Sequence, residues 1–109
     1  MPQSNDTAAL SSAERGRIGA YVRRCWTYDP GAPGVRQFYV LLDVTTDASG
    51  VARIASIAPA DRGRVGANPA LRAFAERAVN AVLDPRCANL PLPLTLLGAP
   101  RHLEFRFTP

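Results

Sequence analysis

Lysine is absent from this chain: all thirteen basic residues are arginine, set against nine acids for a net charge of +4. That usage reads as codon bias in a GC-rich genome rather than as selection for arginine chemistry. The arginines are scattered among the acids. The densest clusters, Arg23-Arg24 and Arg62-Gly63-Arg64, form no stripe and are not interleaved with aromatics, so no nucleic-acid partner is expected. Histidine is nearly absent. His102 and two cysteines are too few ligands for a structural metal site, and neither metal nor cofactor is expected. No apolar run approaches the roughly 18 residues of a membrane span. Met1 to Asp6 is polar and lacks the apolar segment of a signal peptide. A glycine-rich phosphate loop is missing too, because Gly63 and Gly66 are too sparse to build one. No carboxylate pair falls at catalytic spacing on a predicted helix face, and no internal repeat is visible.

What is present begins with the cysteines. Cys25 lies at the end of one helical pattern and Cys87 just past the end of a second. The two thiols either staple those helix ends together or sit as a pair of buried thiols, and spacing alone leaves both readings open. A disulfide closing a loop of about 60 residues would stabilise the fold by roughly 4 kcal/mol in the chain-entropy model. That matters in 109 residues, which hold one domain and a small core. It would also place folding in an oxidising compartment. A domain of that kind without an export signal is expected to be a piece of a longer chain. A dyad of Cys87 with His102 is the enzymatic alternative, but no third group is in evidence to orient the histidine.

Residues 1–9 read as the disordered end of a linker, with Pro2 to Thr7 polar throughout. Ser11 to Trp26 reads as a helix. Ser11-Ser12-Ala13-Glu14 fits a capping box, and Ile18, Val22 and Cys25 follow at helical spacing. Gly16 and Gly19 weaken that helix. Asp29 to Gly34 stops it with a turn. Val35 to Thr46 is a strand in which Phe38, Val40, Leu42 and Val44 share one face. Asp47-Ala48-Ser49-Gly50 turns the chain into a second strand, Val51 to Ala58. Pro59 to Ala67 reads as a loop. Asn68-Pro69 opens a second helix with an apolar stripe through Leu71, Phe74, Ala75, Ala78, Val79, Val82 and Leu83, ended by Pro85. Leu90-Pro91-Leu92-Pro93 is extended; it resembles a polyproline ligand but is expected to pack across the sheet end as a connector. His102 to Thr108 is the last strand, with Leu103, Phe105 and Phe107 inward and His102, Glu104 and Arg106 outward.

The expected fold is α+β in the order α-β-β-α-β: a three-stranded antiparallel sheet with two helices on one face. Crossover rules place the last strand beside the first, which leaves the second and third strands at the edges. The candidate site is the free edge of the last strand, His102, Leu103, Glu104, Phe105, Arg106, Phe107 and Thr108. Such an edge accepts an extended peptide through main-chain hydrogen bonds. Glu104, Arg106 and Pro109 would also guard it against aggregation.

From about Leu10 onward the chain resembles the C-terminal domain family of TolA and TonB. The resemblance rests on Ser12-Ala13-Glu14, on Val22-Arg23-Arg24-Cys25-Trp26 and on Asp29-Pro30-Gly31-Ala32. It rests equally on Asn68 to Ala78, on Ala81-Val82-Leu83-Asp84-Pro85-Arg86-Cys87, and on the closing Phe105-Arg106-Phe107-Thr108-Pro109. The Cys-Trp element and the cysteine after the second helix point to TolA rather than TonB. The resemblance implies a Cys25–Cys87 disulfide and a domain spanning residues 10–109. It further implies a non-enzymatic, monomeric module in the periplasm, tethered to the inner membrane only through an N-terminal part lacking from this chain. Its partner would be the N-terminal peptide of TolB, added as a strand, with Pal, colicins or a phage coat protein as further partners. Its role would be to transmit inner-membrane energy for outer-membrane integrity and cell division in the Tol–Pal system. A TonB-like transducer serving uptake receptors is the alternative.

Overall fold

The computed structural model describes residues 5–109. Helix α1 runs Ser12–Arg23 and starts as the sequence predicts. The Glu14 amide donates to Ser11 Oγ at 3.1 Å, and the Ser11 amide donates to Glu14 Oε1 at 2.8 Å. The bond from the Ser11 amide, and after it that from the Ser11 hydroxyl, hold the Glu14 carboxyl below its usual range. The helix stops short of Cys25 and Trp26, which were expected inside it. Trp26 instead turns into the core against Tyr28, Phe74 and Phe107, at ring-centroid distances of 5.3, 5.0 and 5.5 Å. Burying that indole, with the helix weakened by Gly16 and Gly19, outweighs another helical turn.

Strand β1 is Val40–Thr46, shorter at its start than the alternation suggests. Val35–Gln37 is a 3-10 turn, launched by Gly34 at φ 74°. Phe38 still reaches the core, joining Val40, Leu42 and Val44. Strand β2, Ala52–Ile57, follows a turn in which the Asp47 carboxylate accepts from the Ser49 and Val51 amides. Gly50 is required there: it sits at φ 82°, and a Cβ would lie 2.9 Å from Leu97. The connector after Cys87 packs on this hairpin, with Leu90 buried and its amide bonded to the Gly50 carbonyl at 3.1 Å.

Pro59–Gly66 is helix α2, not the loop its two glycines and sparse apolar residues suggest. Pro59 suits the first turn, Val65 is buried, and Asp61 ties the helix to the sheet. Asp61 Oδ2 accepts from the Leu41 amide at 2.8 Å and pairs with Arg64 at 3.1 Å. Helix α3, Pro69–Leu83, is capped by Asn68, whose side chain accepts from Ala70 and Leu71. Its apolar stripe packs on the sheet as expected. Strand β3, Arg101–Phe107, completes a sheet of order β2-β1-β3, antiparallel throughout. The fold is α+β, with three α-helices among the described residues where two were predicted.

Cys25 and Cys87 form a disulfide across 62 residues, with Cα atoms 6.3 Å apart. It joins the end of α1 to the turn after α3. Beside it the Arg86 guanidinium, by a side-chain hydrogen bond, holds the Asp84 carboxyl at about 2.

The expectation of a frayed linker through residue 9 fails for its described part. Residues 1–4 lie outside the described residues, but Asp6–Ala9 is a 3-10 turn seated on β3, with Thr7 and Leu10 buried. Short polar side chains read as linker in the sequence because they show no periodicity. Here they bond to a strand edge far away along the chain.

Candidate functional site

The register of β3 on β1 fixes which of its amides are spoken for. Phe107 opposes Val40, Phe105 opposes Leu42 and Leu103 opposes Val44. On the far side of β1 the Leu41 carbonyl accepts from Ala58 at the β2 end, so the odd-numbered residues of β1 bond toward β2. Those of β3 that bond toward β1 are then Leu103, Phe105 and Phe107. The backbone groups of His102, Glu104 and Arg106 point outward from the sheet. Inward and outward side chains follow the prediction, except that Phe105 is only half-buried.

That edge is not uniformly free. The His102 amide donates to Asp6 Oδ2 at 2.9 Å and the Glu104 amide donates to Thr7 Oγ1 at 2.7 Å. The Arg106 amide has no partner among the described residues. Beyond the strand, the Thr108 carbonyl accepts from Arg23 Nη2 at 3.0 Å. The predicted edge thus has a covered first half and an open second half.

A groove of about 510 Å³ runs along the open half. One wall is the β3 stretch Glu104 to Phe107. The other is the α1 stripe Arg15, Ile18, Gly19, Val22 and Arg23, which the helical repeat gathers on one face. Gly19 opens this wall, since a Cβ there would meet nothing within 4 Å. Half-buried Phe105 supplies apolar surface over the buried Ile18, Val22 and Phe107 behind it; Arg15, Arg23 and Arg106 make the groove positive against a single Glu104. Arg106 is also held in place, its guanidinium 4.6 Å from the Tyr39 ring, which Arg64 covers at 4.0 Å.

The α1 wall and the Asp6–Thr7 cover went unseen in the sequence. Gly19 on the first helix was the available signal for the wall, because it thins the helix where nothing in the core asks for it. His102 and Cys87 make no catalytic pair here: Cys87 is locked in the disulfide and has no free thiol, and the described residues hold no free cysteine. No helix among the described residues is long and apolar enough to cross a membrane.

The architecture, a three-stranded antiparallel sheet with an edge strand at the C-terminus and helices packed on it, is similar in fold to that of the TolA C-terminal domain. The chain is similar to TolAIII in its solution NMR structure bound to a peptide derived from the N-terminus of TolB, with a TM-score of 0.54. The match has 19% identity and covers 92% of this chain and 77% of that one. No family model and no curated protein matches the sequence.

Proposed function

We propose that this domain is a non-enzymatic, TolA-like module that takes an extended peptide as a fourth strand on β3. The observation that carries the reading is the open second half of the β3 edge lying along a groove of about 510 Å³. The likeness to a domain with a TolB peptide bound supports it. The main-chain groups of Arg106 and the Thr108 amide supply the pairing, and alternate peptide side chains meet Gly19 on α1 and the half-buried Phe105. The three arginines of the groove favour a peptide with acidic residues. Bonds in such an added strand are loaded in shear when partner and domain are pulled apart, which suits transmission of a pull.

The disulfide supports an oxidising compartment, and the reading places the domain in the periplasm. There it would serve the Tol–Pal system, tethered to the inner membrane in its full-length protein, with the TolB N-terminus as partner. Pal, colicins and phage coat protein are further partners on this reading.

A proline at Arg106 tests the placement. It removes an amide that β1 does not use, so the sheet stays intact. The Arg106→Pro domain is expected to keep its fold and lose at least tenfold in affinity for the N-terminal peptide of the same organism's TolB. Ala55→Pro, on the opposite edge, is the control and should bind normally. Unchanged affinity in folded Arg106→Pro would refute the placement, and binding only to receptor-derived peptides would favour the TonB-like alternative.

A further inference from the structure

Resting on that reading, we infer that the Asp6–Ala9 turn is an internal occupant of the β3 edge which an incoming peptide must displace. Thr7 imitates a strand with a side chain. Its hydroxyl accepts from the Glu104 amide at 2.7 Å and lies 3.4 Å from the Glu104 carbonyl, to which it donates. Those are the two main-chain bonds a paired peptide residue would make at this position. Asp6 takes the next outward amide, that of His102, through its carboxylate. The turn lines the same groove through Thr7 and Ala8, so it is continuous with the open half rather than remote from it.

The segment is fastened at both sides. Arg15 reaches from the α1 wall to the Thr7 carbonyl at 2.9 Å, and Leu10 is buried where the turn meets α1. Its hold on the strand is nevertheless by side chains, because a 3-10 turn offers no ladder. A peptide extended along the whole of β3 replaces these bonds with a continuous main-chain row. With the turn seated, only the Arg106 end of the edge is available. The segment therefore sets the apparent affinity: binding is weakened by the fraction of molecules whose edge is covered. Because the turn is part of the same chain, its effective concentration at the edge is high and independent of dilution.

The test pairs Thr7→Val with Asp6→Ala in one variant, which keeps the buried volume at residue 7 and removes both acceptors. Thr7→Ser alone keeps the hydroxyl and serves as the conservative control. In the unmodified protein, without peptide, the His102 and Glu104 amides should exchange with solvent much more slowly than that of Arg106. In the double variant they should exchange as fast as Arg106 does. The TolB N-terminal peptide should bind the double variant about tenfold more tightly than the unmodified domain, and Thr7→Ser should bind like the unmodified domain. Rapid exchange at His102 and Glu104 in the unmodified protein overturns the inference. Equal peptide affinity for the unmodified protein and the double variant overturns it as well. If neither protein binds the peptide, the proposed function fails, and the exchange comparison alone decides whether the turn covers the edge.

Discussion

Asp61 is the residue whose chemistry joins two parts of the fold most directly. It is a buried carboxylate that accepts from the Leu41 amide and pairs with Arg64. Replacing it by alanine leaves the Leu41 N–H without its acceptor at the end of the central strand. An unmet buried donor costs about 2 kcal/mol, so Asp61→Ala should lower the unfolding free energy by about that much, with Asp61→Asn milder. Urea unfolding measures it; a loss under about 0.5 kcal/mol would mean that water replaces the carboxylate. Sequence alone could not find this role. One acid in Pro59 to Ala67 looks like any solvated charge until α2 brings it against β1. The cysteines lie at the other extreme. Their positions at two helix ends suggested a staple, but the residues by themselves fitted buried thiols equally well, and it took the resemblance and then the fold to pair them.

At the level of elements, α1 does two jobs with two faces. Ile18 and Val22 pack inward, while Gly19, between them, keeps the groove wall low. Gly19→Phe should fill the groove without disturbing the core, leaving the domain folded and peptide affinity at least tenfold lower. Gly16→Phe, outside the groove lining, should bind normally, and a competition assay with labelled peptide separates the two. Equal affinity for both variants would move the site away from α1. The capping box of this helix, the Asn68-Pro69 start of α3 and the alternation of β1 and β3 were all legible, because each follows from local hydrogen bonding or from a period set by core burial. Helix α2 was not legible: two glycines and a single buried valine leave no stripe to read. The groove face of α1 was hidden for a related reason, since a groove wall has no second layer to impose a pattern on it. The Asp6–Ala9 turn was missed because its partners are some 97 residues away in sequence.

Across the whole molecule, the pieces form one mechanical unit. The sheet places β3 beside α1, and the Cys25–Cys87 bond fastens the end of α1 to the turn after α3, so the groove wall is anchored to the core. The aromatic cluster of Trp26, Phe74 and Phe107 lies between that anchor and the edge strand. On the proposed function such a brace would matter under load, because a wall that peeled away would release the peptide. The most direct test of strand addition on β3 is the amide NMR titration of the oxidised, isotopically labelled domain with the N-terminal peptide of its own organism's TolB. The predicted result is a set of shifts concentrated on His102 to Thr108 and on Ile18 to Arg23, with the Arg106 amide becoming slow to exchange. A well-folded spectrum that does not respond, or shifts confined to β2, would contradict it.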